Sequence, residues 1–272
     1  IIYASAAGLA AIDNAVFTQE DLFSSSEAND SFGQVLAVGD FNSDGFEDLA
    51  VGVPLEDVEI HPDVFIDAGS VNVIYGGAGG LGTDYNQFFG QHNMSTQSEE
   101  GDQFGAALAV GDFDGDGYDD LAIGVPFESF GHEDVGSVQI VFGASTQLDI
   151  SRNQVLFQGI GDLSTGGSVA EEDDHFGRSL AAGYFDGDEY CDLAVGVTGE
   201  EPGDAYTDSG AVHVLYASAD GFAPPTGEWV WSRYDTDVAG EIQDYAFFGR
   251  VLAAGDFDND GQDDLAIGTP YD

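Results

Sequence analysis

Short apolar runs alternate with polar or glycine-rich segments along the whole chain. In residues 34–41, 48–54, 69–75 and 87–91, apolar side chains alternate with small or polar ones, or form brief continuous runs. Such short segments, bounded by turn residues, are typical of β-strands. No segment keeps a 3.6-residue period, so the sequence predicts an all-β fold with almost no helix.

This four-strand pattern recurs every 72 residues, as the Phe-Gly pairs at positions 32, 104, 176 and 248 show. After each pair come an acidic loop of nine residues and a Gly-x-Pro-like turn, in which Thr198 replaces proline in the third unit. A fixed period of this kind indicates a repeat architecture. We assign units to residues 32–91, 104–158 and 176–232, and a fourth unit to 248–272 together with 1–19.

The fourth unit is divided between the two ends of the chain. Residues 1–9 match the third strand and turn at 73–81, whereas 248–272 matches the first two strands of a unit. A ring closed by pairing its ends would produce this division and would hide the sheet edges. A cut through a longer array would produce it as well, and both interpretations stay open. The chain starts and stops within a pattern, so we expect a mature segment or a window of a longer protein.

The acidic loops contain the residue types that bind calcium. Oxygen atoms at alternate positions of a tight loop point to one centre, and calcium prefers carboxylate and carbonyl oxygens. We expect ligands from the side chains at loop positions 1, 3, 5 and 9 and from the carbonyl at position 7. The first loop supplies Asp40, Asn42, Asp44, Phe46 (carbonyl) and Asp48; the second supplies Asp112, Asp114, Asp116, Tyr118 (carbonyl) and Asp120; the fourth supplies Asp256, Asp258, Asp260, Gln262 (carbonyl) and Asp264.

The third loop, 184–192, is a degenerate version of the same site. Tyr184 replaces the first aspartate and Glu189 replaces the glycine, so we expect weak calcium binding or none. The remaining candidate ligands are Asp186, Asp188, Tyr190 (carbonyl) and Asp192. Cys191 lies beside them, and a soft-metal site is the less favoured interpretation of this thiol. An EF-hand is disfavoured for all four loops, because position 12 is apolar instead of glutamate.

The charge of the chain restricts its partners. Aspartate and glutamate number 52 against 4 basic residues, which gives a net charge of −48. Affinity for nucleic acid comes from Lys and Arg, so a nucleic-acid partner is disfavoured. No apolar stretch reaches the ~20 residues that span a bilayer, so direct membrane insertion is disfavoured too. High salt or a cationic partner would screen the self-repulsion of so acidic a chain.

Together, the Phe-Gly pair, the D-x-D-x-D-G-x-x-D loop and the Gly-x-Pro turn resemble the FG-GAP repeat of the integrin α-subunit β-propeller. The resemblance covers nearly the whole chain. It implies a β-propeller of four-stranded antiparallel blades, with calcium in the loop between the first and second strands and ligands on the opposite face. The chain departs from the family in its third loop, in Thr198 and in having four units instead of seven.

A non-catalytic extracellular module follows from this resemblance. The loops on the opposite face vary in length and composition, as functional loops on a rigid scaffold do. We place them at 21–31, 55–68, 92–103, 127–135, 159–175, 199–209 and 233–247. The partner would be a protein, a glycan or further copies of the chain, in adhesion or surface assembly. A lectin-like module, an accessory domain of a secreted hydrolase, and a subunit of an extracellular filament or coat are the alternatives. The five histidines are scattered, and they do not argue for catalysis.

Overall fold

A computed structural model of the chain describes residues 1–5, 8–9, 14–22, 26–158, 170–201, 207–222, 228–232, 238, 240 and 243–271. Within these ranges the only helical segments are two 3-10 turns, Gln19–Asp21 and Gln91–Asn93. None of the described helical residues belongs to a segment of the length and hydrophobicity that crossing a bilayer requires. Nearly all regular structure is β-strand, as the sequence predicts.

Three four-stranded antiparallel sheets follow one another along the chain. Blade 1 contains β3 (Val35–Gly39), β4 (Asp48–Val53), β7 (Ser70–Ile74) and β8 (Gln87–Phe89); blade 2 contains β9 (Ala107–Gly111), β10 (Asp120–Val125), β11 (Ser137–Phe142) and β12 (Asp149–Leu156); blade 3 contains β13 (Phe176–Gly183), β14 (Asp192–Val197), β15 (Ala211–Leu215) and β16 (Glu228–Trp231). The half-blade that follows pairs β17 (Val251–Gly255) with β18 (Asp264–Gly268).

The blades are arranged around an axis, with the first strand of each blade innermost. β3 contacts β9, β9 contacts β13, and β13 contacts β17, whereas the later strands of each sheet lie farther out in sequence order. Sheets that radiate in this way from a row of first strands form a β-propeller. The predicted fold class is therefore confirmed.

The second and third strands of blade 2 are buried on both faces, because blades 1 and 3 cover its two sides. Val71 and Val73 of blade 1 pack with Leu121 and Ile123 of blade 2. The next interface repeats this arrangement, with Val138 and Ile140 of blade 2 against Leu193 and Val195 of blade 3. Continuous apolar runs, rather than strict alternation, are typical of such strands.

The signature glycines of the repeat meet between neighbouring blades. A β-carbon added to the glycine of the Gly-x-Pro turn would lie 2.2–2.3 Å from the carbonyl oxygen of the Phe-Gly glycine in the following blade. Only a residue without a side chain permits this close backbone approach. The three contacts are Gly52 with Gly105, Gly124 with Gly177, and Gly196 with Gly249.

The two ends of the chain pack on different blades. Leu22 lies against Leu49, Val51 and Ile74 of blade 1, whereas the half-blade packs on blade 3. In the part of the chain that the structure describes, β1 (Ala4–Ser5) pairs with β2 (Gly8–Leu9), and β18 pairs with β17 alone. The pairing of the two half-units into one blade is not seen there, because each half lies on its own neighbouring blade. The divided unit stays a prediction.

Blade 1 also contains a hairpin that the repeat did not predict. β5 (Val58–Ile60) pairs with β6 (Asp63–Phe65) within the segment 55–68, which we expected to be a variable loop. In blade 2 the repeat predicts a fourth strand at 155–158, and the structure has it at Asp149–Leu156. The hairpin is a separate two-stranded sheet, and neither feature changes the central strands.

Candidate metal centres

The four acidic loops lie at the same end of their blades. Each one joins the innermost strand to the second strand: residues 40–47 between β3 and β4, 112–119 between β9 and β10, 184–191 between β13 and β14, and 256–263 between β17 and β18. We call this end the acidic-loop end. The segments that follow the second strands leave from the opposite end, the loop face, which holds residues 54–69, 126–136, 198–201 and 207–210.

Backbone amides fix the side chains of each loop. In the second loop the two carboxylate oxygens of Asp112 accept hydrogen bonds from Asp116 and Gly117, both at 3.0 Å. Asp114 accepts one from Asp116 at 3.2 Å, and Asp116 accepts one from Tyr118 at 3.1 Å. Successive bonds of this kind turn the side chains at positions 1, 3 and 5 toward the loop interior. The first and fourth loops repeat the pattern.

The aspartate at position 9 anchors each loop to its blade. Asp120 is fully buried and accepts hydrogen bonds from Phe113 and Gly143, both at 2.8 Å. Asp48 and Asp192 are buried and make equivalent bonds. Burial is the main cause that raises the pKa of Asp120 to about 8 and the pKa values of Asp48 and Asp192 to about 6. A bound divalent cation would favour the ionised forms.

Three of the loops bring three carboxylates within 4.8 Å of one another. These groups are Asp112, Asp114 and Asp120; Asp186, Asp188 and Asp192; and Asp256, Asp258 and Asp260. In the first loop Asn42 supplies an amide oxygen in place of the carboxylate at position 3. The donor set is made of hard oxygen atoms, which fits calcium. Calcium binding by these residues stays a prediction.

The third loop retains more of the site than its sequence suggests. Its three aspartates converge although Tyr184 lacks the carboxylate of position 1. The Tyr184 backbone instead donates to Asp263 of the fourth loop at 3.0 Å. Because the two N–H bonds to a position-1 carboxylate are missing, fewer contacts order this loop than order the second one.

Neighbouring loops are linked in a band around the acidic-loop end. The residue at position 8 of one loop contacts position 1 of the preceding loop: Asp119 accepts from the Asp40 amide at 2.8 Å, and the Cys191 amide donates to the Asp112 carbonyl at 3.0 Å. Cys191 therefore occupies the place that Asp119 and Asp263 hold elsewhere. Burial raises its thiol pKa to about 12, so the thiol is protonated at neutral pH and is a poor metal ligand.

One cation already lies at the second loop, and no sequence pattern predicts it. Arg152 of β12 forms an ion pair with Asp114, whose side chain is 1% exposed, and approaches Asp116 at 3.4 Å. Its guanidinium also lies 4.3 Å from the centre of the Phe142 ring. The carboxylates of this loop thus converge on a position that holds positive charge. A calcium ion bound there would share both aspartates with Arg152.

The loop face contains a second repeated arrangement that sequence reasoning missed. A glutamine after the fourth strand donates its side-chain amide to a buried glutamate after the second strand of the next blade. The pairs are Gln19 with Glu56, Gln91 with Glu128, and Gln158 with Glu200. The 72-residue spacing of Gln19 and Gln91, and of Glu56 and Glu128, is visible once the units are aligned. These pairs tie adjacent blades together beneath the loop face.

The buried carboxyl groups beside these pairs predict stability that falls as pH rises. Burial is the main cause that raises the pKa of Glu128 to about 8, and the Asp102 carboxylate adds to it. A raised folded-state pKa means that the folded state binds more protons than the unfolded one, so protonation stabilises the fold. This stabilisation is complete below the pKa of the unfolded state and is lost as the pH rises through 8. Each group that is protonated only in the folded state changes the free energy of unfolding by up to ~1.4 kcal/mol per pH unit. We expect the melting temperature to fall by several degrees, on the order of 2–4 °C per kcal/mol, between pH 5 and pH 8.

Glu128→Gln tests this expectation, because the amide can keep the bond to Gln91 without titrating. The variant should melt close to the parent at pH 5 and above it at pH 8, in scanning calorimetry. Glu133→Gln is the matched control, since Glu133 is exposed on the same face. A pH dependence equal in both variants would contradict the assignment.

A mixed cluster also forms on the loop face. Asp134, Asp173 and His175 approach within 4.8 Å of one another although two loops supply them. His175 packs edge-on against Phe127, with ring centres 4.9 Å apart. Parts of this face that sequence analysis singled out, namely 159–169, 202–206, 233–237, 239 and 241–242, lie outside the described residues.

Known proteins match both the motif and the length of the unit. The FG-GAP repeat model matches residues 32–74, 104–141 and 248–272. Integrin alpha-5 of Xenopus laevis is 34% identical over 193 residues, which are 70% of this chain and 17% of that protein. Integrin alpha pat-2 of Caenorhabditis briggsae is 30% identical over 251 residues, which are 88% of this chain and 18% of that protein.

Two further matches are to proteins that are not named as integrins. Phosphatidylinositol-glycan-specific phospholipase D of Rattus norvegicus is 33% identical over 164 residues, which are 60% of this chain and 18% of that protein. Among solved structures, the exotype rhamnogalacturonan lyase YesX aligns with a TM-score of 0.46 at 14% identity, over 86% of this chain and 38% of that one. The family model leaves out the third unit, whose acidic loop is the degenerate one.

The integrin relatives align with most of this chain. The chain spans less than a fifth of their length. From its motif, its spacing and its blades, the chain is an FG-GAP repeat protein similar to integrin alpha subunits.

Proposed function

We propose that this chain forms a non-catalytic, calcium-binding propeller that works outside the cell in adhesion. The observation that carries the proposal is the set of four equivalent loops with inward-turned oxygen ligands at one end of the blades. Millimolar calcium is available outside cells, and extracellular modules bind it with dissociation constants of roughly 10⁻⁴–10⁻³ M. The relatives named integrin alpha support the adhesive part.

In this proposal the acidic-loop end braces the blades and the loop face meets the partner. Calcium in each loop would hold position 1 and position 9 together, and thereby fix the first two strands of a blade. The Gln–Glu pairs hold the opposite end. The variable loops of the loop face are then presented on a scaffold that is held rigid at both ends, which suits recognition of a protein or a glycan.

An accessory domain of a secreted hydrolase is the second candidate. The similarity to a phospholipase D named for phosphatidylinositol-glycan favours it over the lectin-like and filament alternatives. In that case the propeller would serve a catalytic domain on the same polypeptide, and the calcium loops would have the same bracing role.

The experiment is a pair of measurements on the same sample. Native mass spectrometry in calcium-containing volatile buffer should show three tightly bound ions, with a fourth only at higher calcium. A fluorescently labelled sample of this protein should bind intact cells in millimolar calcium and lose that binding in excess EGTA, with magnesium as the control ion. Absence of bound ions would contradict the calcium part, and absence of cell binding in millimolar calcium would contradict the adhesive part.

A further inference from the structure

Two arginines occupy the same repeat position on neighbouring blades. Arg178 and Arg250 each follow a Phe-Gly pair directly, where the first two units have Gln34 and Ala106. They lie where β13 and β17 begin, near the axis at the loop face, and Gly136 bridges to Phe176 at the same level. The pairing register of β13 shifts between Phe176 and Ser179, and such bulges redirect side chains.

Neither arginine has an acidic partner in the part of the chain that the structure describes. The ion pairs found there both belong to Arg152. The chain has 52 acidic residues and 4 basic ones, so a pair of cations without counter-charge is unexpected. The innermost strands β13 and β17 are in contact, and the Ser179 hydroxyl donates to the Gly249 carbonyl, so the two arginines beside these residues are neighbours whose like charges repel. Burial and the charge of Arg250 both lower the pKa of Arg178, in keeping with this placement. An anion between them would remove that cost.

Aromatic rings hold the two guanidinium groups in place. The Cζ atom of Arg178 lies 5.7 Å from the centre of the Phe127 ring, and that of Arg250 lies 5.9 Å from the centre of the Phe247 ring. Phe247 in turn packs against Tyr271 at 5.7 Å. Stacking of this kind orients the planar fork of arginine and leaves its N–H donors free for an oxyanion.

We propose that Arg178 and Arg250 bind the carboxylate of an Asp or Glu side chain that a protein partner inserts at the axis from the loop face. Arginine forks match carboxylates in geometry. A polyanionic ligand is disfavoured, because the chain carries a charge of −48. One carboxylate on an apolar stem fits the two cations and the rings beside them. The inference rests on the proposed function only in taking a protein as the partner at this face.

The test observes the arginines directly. With only four arginines in the chain, the Nε–H signals of a ¹⁵N-labelled sample can be assigned from single Arg→Gln variants. The probe is N-acetyl-aspartate N-methylamide, added at constant ionic strength, and its asparagine analogue is the uncharged control. We expect the signals of Arg178 and Arg250 to shift and saturate at millimolar probe, while the signal of Arg152 stays in place.

Two substitutions of Arg178 measure how much its guanidinium group contributes to binding of the probe. Arg178→Gln should weaken the binding seen at Arg250 by about 10-fold, the equivalent of ~1.4 kcal/mol. Arg178→Lys keeps the charge but loses the fork, and it should give an intermediate affinity; it also serves if the glutamine variant does not fold. Linear shifts, equal shifts with the asparagine analogue, or equal shifts at Arg152 would overturn the site. Acetate binding as tightly as the aspartyl probe would overturn the protein side chain as its ligand.

This experiment is independent of the cell-binding measurement. Saturable arginine shifts together with no calcium-dependent cell binding would keep the carboxylate site and reject the adhesive function. Cell binding together with unmoved arginine signals would reject the site and keep the function.

Discussion

Removal of calcium is expected to lower the melting temperature of this protein by roughly 8–16 °C. An ion present at about 10 times its dissociation constant stabilises the folded state by ~1.4 kcal/mol, so three ions would contribute about 4 kcal/mol. Each kcal/mol shifts the midpoint of a domain of this size by about 2–4 °C. Without the ions, the aspartates gathered within 4.8 Å of one another repel. Scanning calorimetry in calcium and in EGTA, with magnesium at equal ionic strength as the control, measures the effect. An unchanged melt in EGTA would reject structural calcium.

Single-loop variants show whether the loops contribute as their sequences predict. Asp116→Ala should remove a larger share of the calcium-dependent stabilisation than Asp188→Ala, because Asp112 completes the second loop and Tyr184 leaves the third one incomplete. Asp116 also approaches Arg152, so the quantity to compare is the difference between calcium and EGTA within each variant. Equal losses would show that the convergence of Asp186, Asp188 and Asp192 suffices for binding.

The repeated strands were predictable from the sequence, and features that occur once were not. The strand β10 follows from the apolar run after the second acidic loop, and it matches β4 and β14 in length and pattern. The β5–β6 hairpin has an alternating signal of its own, but no other unit has a counterpart in the described residues, so a reading based on the repeat treats it as a loop. The repeat therefore predicts the strands of the blades better than it predicts the segments inserted between them.

Contacts between residues far apart in the sequence were the part that local sequence could not supply. Arg152 reaches Asp114 across 38 residues, and Gln91 reaches Glu128 across 37, with no local pattern to link the partners. Aligned units show which positions recur, yet they do not show which recurring positions meet. The glycine of the Gly-x-Pro turn and that of the Phe-Gly pair are both obvious in sequence, and only the structure shows that they touch.

Gly124→Ala is expected to destabilise the protein by about 1–3 kcal/mol, as over-packing of a tight backbone contact does. The new methyl group would lie 2.2 Å from the carbonyl oxygen of Gly177 and 3.1 Å from the β-carbon of Ala107, so blades 2 and 3 would have to separate. Their shared core, which includes Val138 and Leu193, would lose contact in consequence.

Gly268→Ala is the matched control, because it changes the same repeat position where no described blade follows. Its nearest atom would be the Val251 carbonyl oxygen at 3.3 Å, and replacing glycine also restricts the unfolded chain, which stabilises by ~0.4–1 kcal/mol. Chemical denaturation followed by circular dichroism compares the two free energies of unfolding. Equal changes in the free energy of unfolding would mean that the glycine matters only within its own strand and not at the contact between blades. A loss confined to Gly124→Ala would show that the two glycine motifs of the repeat are kept because neighbouring blades touch through them.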